Sequence, residues 1–355
     1  MFRILSIDGG GIRGLIAARV IERLEHRLTE AAGEERRMAD CFHLVAGTST
    51  GGLIALGLTT PKEKGSARPR LSGAELVRLY REDGPRVFRD PLRRVLTLDG
   101  WIAPRHSLRR LGGVLQERLG EAALADALRE VVITSYDMHG AGEGRPAPYF
   151  FKRWSAREPA AGREANPPVV DAGLATSAAP TFFPAHDFEG RALIDGGVFA
   201  ANPTVAGIVE ALKRRGGEDV AEASNLLVVS LATGQHEVGY PARRLGRWGR
   251  VQWILPRGGE PALIAAILDG QSDAADRWAR VLLDPGGSAP VPGTTDQRRY
   301  FRFQTDLPRG VGLDDTREAS LDRLDEAAER LLAERAADID ELVAILAPLP
   351  PLPPD

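Results

Sequence analysis

The chain has 355 residues, of which 43% are hydrophobic and 27% are charged, a composition that is typical of a globular protein and excludes a largely disordered one. The formal net charge of −3 gives no general attraction to nucleic acid, and a single cysteine excludes an internal disulfide. With no secretory leader and no apolar stretch of membrane-spanning length, the sequence predicts a soluble cytoplasmic protein without a nucleic-acid partner.

The first elements predict two strand–turn–helix units. Residues 2–7 form a short β-type run, and residues 14–32 carry apolar side chains at helical spacing. Residues 42–47 are typical of a buried strand, and residues 51–58 are typical of the apolar start of a helix. Ser49 therefore lies at the predicted junction between a strand and a helix.

The later elements continue this alternation. Helical patterns separate most of the further β-type runs, which occur at 131–136, 149–154, 192–195, 225–233 and 300–306. An amphipathic helix follows, with apolar side chains spaced from Leu321 to Leu342. Strands that alternate with helices predict an α/β sheet covered on both faces.

Neither an internal repeat nor a linker interrupts the pattern, so we expect one domain over residues 1–345. This domain would include a basic and aromatic insert at about 86–110 and a helical C-terminal part at about 260–345. Residues 346–355 are proline-rich and predict an extended tail.

The glycines after the first strand have two interpretations. Gly9, Gly11 and Gly14 match the dinucleotide fingerprint GxGxxG, which also requires an acidic residue after the second strand. Ser49 follows that strand instead, and Asp40 precedes it. Alternatively, consecutive backbone N–H groups near a helix N-terminus bind an anion such as a reaction oxyanion, which is the interpretation we favour.

Ser49 lies within GTSTG at 47–51, a match to the GxSxG pattern of serine hydrolases. Such a serine needs a base, and His186 and His236 follow it in the order of a Ser–His–Asp triad, yet neither has a distinctive setting. Asp195 ends a β-type run before two glycines. An Asp–Gly turn is the simplest interpretation, and Asp195 becomes a plausible base only if burial raises its pKa.

Three segments, DGGGIRG at 8–14, GTSTG at 47–51 and DGG at 195–197, resemble the motifs of the patatin-like phospholipase family. The similarity extends over about residues 2–340 in family order. It implies a three-layer α/β/α fold with a mostly parallel sheet. It further implies Ser49 as the nucleophile, Asp195 as the sole base of a dyad, and an oxyanion hole formed by Gly9, Gly10 and Gly11 with Arg13 nearby.

The resemblance also implies hydrolysis of fatty-acyl esters of membrane glycerolipids through an acyl-Ser49 intermediate, without a metal or organic cofactor. An alternative is a regulated effector, for example an antiviral phospholipase activated by a cyclic nucleotide. Two further alternatives are a non-enzymatic storage or binding protein and a dinucleotide-binding oxidoreductase. Intact Ser49 and Asp195 argue against the former, and the absent ribose-binding acid argues against the latter.

Two segments combine arginine with aromatic residues. Residues 86–110 hold seven arginines, among them Arg93 and Arg94, together with Trp101, and residues 243–257 hold further arginines and no acidic residue. Such segments either contact anionic headgroups at the inner membrane face or form ordinary solvated loops. The sequence does not define an oligomeric state.

Overall fold

The structure is a computed structural model. It describes residues 1–90, 96–97, 100, 102–140, 144–158, 162–213, 222, 224–236, 241–254, 261–284, 298–307 and 310–353. Arg93, Arg94 and Trp101 of the predicted insert, and residues 255–257 of the second basic segment, lie outside this described part.

Ten strands form two sheets within the described residues. They are β1 (Phe2–Ile7), β2 (Leu44–Thr48), β3 (Glu130–Asp137), β4 (Ala147–Lys152), β5 (His186–Phe188), β6 (Arg191–Asp195), β7 (Leu226–Leu231), β8 (Gln235–His236), β9 (Tyr300–Phe303) and β10 (Asp306–Leu307). The main sheet has the order β5-β6-β3-β2-β1-β7-β9, with β4 also paired to β3. Strands β3, β2, β1, β7 and β9 are mutually parallel, whereas β4, β5 and β6 pair antiparallel.

Helices connect these strands. They are α1 (Gly14–Ala32), α2 (Met38–Cys41), α3 (Thr50–Thr59), α4 (Gly73–Arg78), α5 (Gly84–Phe88), α6 (Leu108–Leu119), α7 (Arg153–Ala156), α8 (Val169–Thr176), α9 (Thr204–Lys213), α10 (Ala242–Leu245), α11 (Arg250–Ile254), α12 (Ala262–Leu283), α13 (Glu318–Glu334) and α14 (Ala336–Leu346). Short 3₁₀ turns occupy Gly11–Arg13, Leu124–Asp126 and Gly196–Val198, and a π turn occupies Leu79–Asp83.

Alternation along the strands divides the core into two parts. In β1, Leu5 and Ile7 pack in the larger cluster, which contains side chains of α1, α3, α6, α8, α13 and α14. Phe2 and Ile4 point to the opposite face, where α9 and the second half of α12 cover the sheet. The predicted three-layer α/β/α fold with a mostly parallel sheet is therefore confirmed.

The predicted strands occur with shifted ends. The run at 300–306 divides into β9 and β10, because the chain leaves the main sheet after Phe303 to pair with β8. Strand β5 was not expected from the pattern, since three residues give too little periodicity to recognise.

The C-terminal tail contacts the body of the protein. The N–H of Leu352 donates to the carbonyl of Asp40 at 2.9 Å. The buried Arg129 guanidinium donates to the carbonyls of Leu352 and Pro353 at 2.7 and 2.8 Å. These contacts hold the proline-rich segment against α2 and the start of β3. No helix in the described ranges is both long and apolar enough to cross a bilayer.

Candidate active site

Ser49 lies in a sharp turn between β2 and α3. Its backbone has φ 53° and ψ −123°, a conformation that residues other than glycine rarely adopt. A Cβ on Gly51 would lie 2.1 Å from the Ile7 carbonyl oxygen, and one on Gly47 would lie 2.3 Å from the Gly51 carbonyl oxygen. Both glycines of the motif are therefore required because helix α3 approaches the strands so closely.

Two contacts hold Ser49 in this turn. Its N–H donates to the Thr176 hydroxyl at 2.8 Å, at the C-terminal end of α8. The Asp195 carboxylate lies beside its hydroxyl, which lowers the pKa of that carboxyl as a hydrogen-bond donor does. The half-buried serine is thus in contact with the predicted base.

Strand register brings Asp195 to this position. Thr48 pairs with Thr134 between β2 and β3, and Ser135 pairs with Asp195 between β3 and β6. The base therefore lies across one strand from the nucleophile. A Cβ on the following Gly196 would lie 2.1 Å from the Thr134 hydroxyl, so that the turn after Asp195 tolerates no side chain there.

Asp195 is enclosed, as the dyad interpretation requires. Its side chain is only 5% exposed, and its Oδ1 accepts the Gly197 N–H at 2.7 Å. Burial raises the pKa of Asp195 from 3.8 to about 6, although the hydrogen bonds from Ser49 and Gly197 favour the carboxylate. A carboxylate with this pKa is a stronger base than an exposed aspartate and is still ionised at neutral pH.

The glycine loop passes directly beside Ser49. A Cβ on Gly9 would lie 3.4 Å from the Ser49 Cβ, and one on Gly10 would lie 2.2 Å from the Thr233 hydroxyl. Gly11 has φ 58°, and a Cβ there would lie 2.2 Å from the Leu313 carbonyl oxygen. Gly10 and Gly11 are thus required by a close approach, and Gly11 also by its left-handed backbone, whereas a Cβ on Gly9 would make only ordinary van der Waals contacts.

The residues of the predicted oxyanion hole differ in their surroundings. The Gly9 N–H donates to the Ala201 carbonyl at 2.8 Å, so this amide already has an acceptor within the protein. Gly10 and Gly11 line the cavity beside Ser49. Arg13 is buried outside the cavity lining, where burial lowers its pKa to about 10 and the charge of Asp269 opposes that shift.

A buried ion pair supports the glycine loop. Asp8 receives two hydrogen bonds from the Arg302 guanidinium, at 2.9 and 2.6 Å, and one from the Ser272 hydroxyl at 2.9 Å. Arg302 also donates to Ser230 at 2.8 Å. The loop is thereby joined to β7, β9 and α12. Sequence reasoning missed this pair, although Asp8 is the first residue of the DGGG segment.

A cavity of about 270 Å³ opens at Ser49 and Asp195. Its walls are mainly apolar and come from α3, α5, α6, α12 and the segment after α8. The apolar lining includes Leu53, Val87, Leu111, Val114, Leu115 and Phe183. A pocket of this character fits a hydrocarbon chain attached to a polar reacting group.

The alternative bases lie elsewhere. His186 Nε2 lies 3.0 Å from Asp171 Oδ1 on the far side of β6, and His236 belongs to the small sheet. No histidine is among the described residues that line the cavity. Within the same described part, no three His, Cys, Asp or Glu side chains are grouped so that they could hold a metal ion.

A strained serine at a strand–helix elbow, a buried carboxylate in contact with it and an apolar cavity define an acyl hydrolase of the α/β class. Comparison with known proteins gives the family. The model of the patatin-like phospholipase family matches residues 5–208, and this chain belongs to that family. It is accordingly a lipid acyl hydrolase, and the dinucleotide interpretation of the glycine loop is not supported.

Curated relatives agree with this assignment over nearly the whole chain. Patatin-like protein 1 of Oryza sativa subsp. indica is 33% identical over 95% of this chain and 82% of its own length. Patatin-07 of Solanum tuberosum is 33% identical over 94% of this chain and 84% of its own length. The solved structure of VipD from Legionella pneumophila covers 94% of this chain and 67% of its own, with 11% identity and a TM-score of 0.40, too distant for inference.

Proposed function

We propose that the protein hydrolyses fatty-acyl esters of membrane glycerolipids with a Ser49–Asp195 dyad. The observation that carries this proposal is the juxtaposition of Ser49 and the buried Asp195 in the lining of one apolar cavity. Ser49 Oγ attacks the ester carbonyl carbon while its proton passes to Asp195. The amides of Gly10 and Gly11 stabilise the oxyanion. The buried positive charge of Arg13 stabilises the glycine loop from outside the cavity.

The proton cycle requires only one base. When the tetrahedral intermediate collapses, the bond to the alcohol oxygen breaks and Asp195 returns the proton to that oxygen. Water then attacks the acyl-Ser49 carbonyl and gives a proton to Asp195, which passes it to Ser49 Oγ as the fatty acid leaves. The dyad thereby returns to its starting state. The proposed steps use only the two side chains, the loop amides and water, without a cofactor.

The decisive experiment is turnover of a phospholipid by the purified chain, combined with labelling of Ser49 by a fluorophosphonate. We expect Ser49→Ala and Asp195→Asn to lose at least about 1000-fold in kcat, since both residues act on the reacting atoms. Phospholipid cleavage by Ser49→Ala would refute the proposal. Repeating the assay with candidate cyclic nucleotides tests the regulated-effector alternative.

We further propose that a basic and apolar face beside the cavity contacts an anionic lipid surface. This face comprises α10, α11 and the first turns of α12. Residues 241–254 contain no acidic residue, and none of them is buried. Four arginines are exposed there, none of which pairs with a described carboxylate: Arg243, Arg244, Arg247 and Arg250.

The apolar part of this face continues into the active site. Val251 is 58% and Ile254 49% exposed, and both are near-neighbours in sequence of the paired rings of Trp248 and Trp253. On the adjacent α12, Ile264 and Ile267 are exposed and also line the cavity. An exposed apolar patch rimmed by arginine is suited to a headgroup region, and here it would deliver the acyl chain to Ser49.

The described part of the other basic segment is different. Arg86 pairs with Asp83 and Glu117, and Arg110 pairs with Asp90. Because Arg86 and Arg110 are already neutralised within the protein, we place the lipid contact at α10–α12, whose four exposed arginines pair with no described carboxylate.

Vesicle sedimentation tests the lipid contact. Arg243→Glu with Arg244→Glu should reduce binding to vesicles of phosphatidylcholine and phosphatidylglycerol at least about thirtyfold, because the two positive charges removed contribute about 1 kcal/mol each. The matched control is Arg323→Glu with Arg330→Glu on the exposed side of α13, which should bind normally. Equal loss in both variants, or no loss in the first, would contradict the location.

A further inference from the structure

The segment Thr176–Ser177–Ala178 joins the nucleophile to the base. The Thr176 hydroxyl accepts the Ser49 N–H at 2.8 Å, and the Ala178 carbonyl accepts the Asp195 N–H at 3.1 Å. Ser177 lies between these two contacts and lines the cavity together with Ser49 and Asp195. Its backbone is therefore anchored on both sides, next to the nucleophile and the base.

The Ser177 hydroxyl is an exception among the buried polar groups around the dyad. The residue is 7% exposed, and among the described residues none forms a hydrogen bond with its Oγ. By comparison, the nearby hydroxyls of Thr48 and Ser135 donate to the carbonyls of Ala200 and Ile194. Leaving a buried hydroxyl unpaired costs free energy, so an unpaired hydroxyl on a residue that lines the cavity indicates a ligand.

We propose that Ser177 is a third catalytic residue, which hydrogen-bonds the oxygen that enters or leaves opposite Ser49. The inference rests on the proposed ester hydrolysis. Attack of water on the acyl enzyme is, in type, the reverse of alcohol departure during acylation. The attacking water oxygen therefore occupies the same place beside Asp195 as the departing alcohol oxygen. A hydroxyl both donates and accepts. Ser177 Oγ donates to the alcohol oxygen during acylation and accepts the second O–H of the water during deacylation.

Other parts of the cavity are assigned to other groups of the substrate. Most of the cavity lining is apolar and offers no hydrogen bond to this oxygen, and the proposed function assigns the amides of Gly10 and Gly11 to the oxyanion. The attacking water gives one proton to Asp195. Its second O–H stays intact and donates a hydrogen bond to Ser177 Oγ. Loss of the hydroxyl should therefore slow the steps that require a positioned oxygen nucleophile or leaving alcohol.

Two esters of one fatty acid separate these steps. A p-nitrophenyl ester acylates Ser49 without protonation of its leaving group, whereas a glycerol ester requires a proton from Asp195. For Ser177→Ala we expect kcat on the glycerol ester to fall about tenfold, the effect of one neutral hydrogen bond. On the p-nitrophenyl ester the initial burst of p-nitrophenolate should keep its rate, while the steady state falls about tenfold.

The matched control is Thr60→Val. The Thr60 hydroxyl is also buried without a described partner, but it lies after the far end of α3 and does not line the cavity. We expect Thr60→Val to keep wild-type kcat on both esters. Neither substitution should lower Tm, since each removes an unsatisfied buried hydroxyl.

Unchanged kcat in Ser177→Ala would overturn the proposal. A lower Tm, with a burst that shrinks in amplitude instead of keeping its rate, would also overturn it, because the hydroxyl would then be structural. Labelling of wild-type Ser49 by a fluorophosphonate is measured first. An unlabelled wild-type protein without turnover would refute the ester hydrolysis itself, which distinguishes the two failures.

Discussion

Replacing Asp195 with asparagine should abolish turnover and yet stabilise the folded protein at neutral pH. The native carboxylate is buried, and burial raises its pKa from 3.8 to about 6. Asparagine has nearly the same shape and keeps an oxygen for the Gly197 N–H, but it carries no charge. The substitution therefore removes the cost of burying an ion and leaves the packing unchanged.

The pH dependence follows from proton linkage. Below pH 3.8 the carboxyl is protonated in both the folded and the unfolded state, so it makes no difference to stability. Between pH 3.8 and about 6 the folded state holds the proton and the unfolded state does not, so stability falls as the pH rises. At 1.36 kcal/mol per pKa unit, the loss reaches about 3 kcal/mol above pH 6.

Urea unfolding of the wild type and of Asp195→Asn measures this difference. We expect equal free energies of unfolding near pH 4 and an advantage of up to about 3 kcal/mol for the variant at pH 8. Asp315→Asn provides a control of opposite sign, because hydrogen bonds from Arg317 and Ser320 leave the pKa of Asp315 at about 2. A pH-independent difference, or a variant that is less stable at pH 8, would refute the reasoning. In the wild type, kcat/KM should rise with pH through about 6 as Asp195 becomes ionised.

Five other substitutions test the scaffold and the choice of base. Gly51→Ala should lower the free energy of unfolding by at least about 3 kcal/mol or prevent soluble expression. A Cβ on Gly113 would meet no atom within 4 Å, so Gly113→Ala should stabilise α6 by about 0.5–1 kcal/mol in thermal unfolding. Arg302→Met should cost about 3–5 kcal/mol in urea titrations, because it leaves a buried carboxylate unpaired, and a neutral outcome would contradict the role of the ion pair. His186→Ala and His236→Ala should keep most of the esterase activity, and loss at either residue would restore the triad.

The sequence predicts those parts of the site that depend on local pattern. The β-type runs before residues 9 and 49 and up to Asp195 identify strand ends, and glycine spacing marks the turns that follow them. Contact between Ser49 and Asp195 depends on more than local pattern. It requires the register of β2, β3 and β6, which no single segment contains.

Contacts between distant segments explain what the sequence could not predict. The acceptor of the Gly9 N–H is Ala201, 192 positions further on, so nothing in the DGGG segment shows that this amide is already used. The isolation of the Ser177 hydroxyl is likewise a property of its packed surroundings. Whether an arginine at 86–110 is paired depends on acidic residues of other elements, as the ion pair between Arg86 and Glu117 shows.

The position of Arg302 limits how far the chain can be shortened. All three motifs lie within residues 5–208, the part that the family model matches, and a fragment of that length would pass a motif search. It would nevertheless lack the guanidinium that neutralises Asp8 and the Leu313 carbonyl that accepts the Ile12 N–H. The smallest unit that can assemble a working catalytic centre therefore extends at least to residue 313, more than a hundred positions beyond the last recognisable motif.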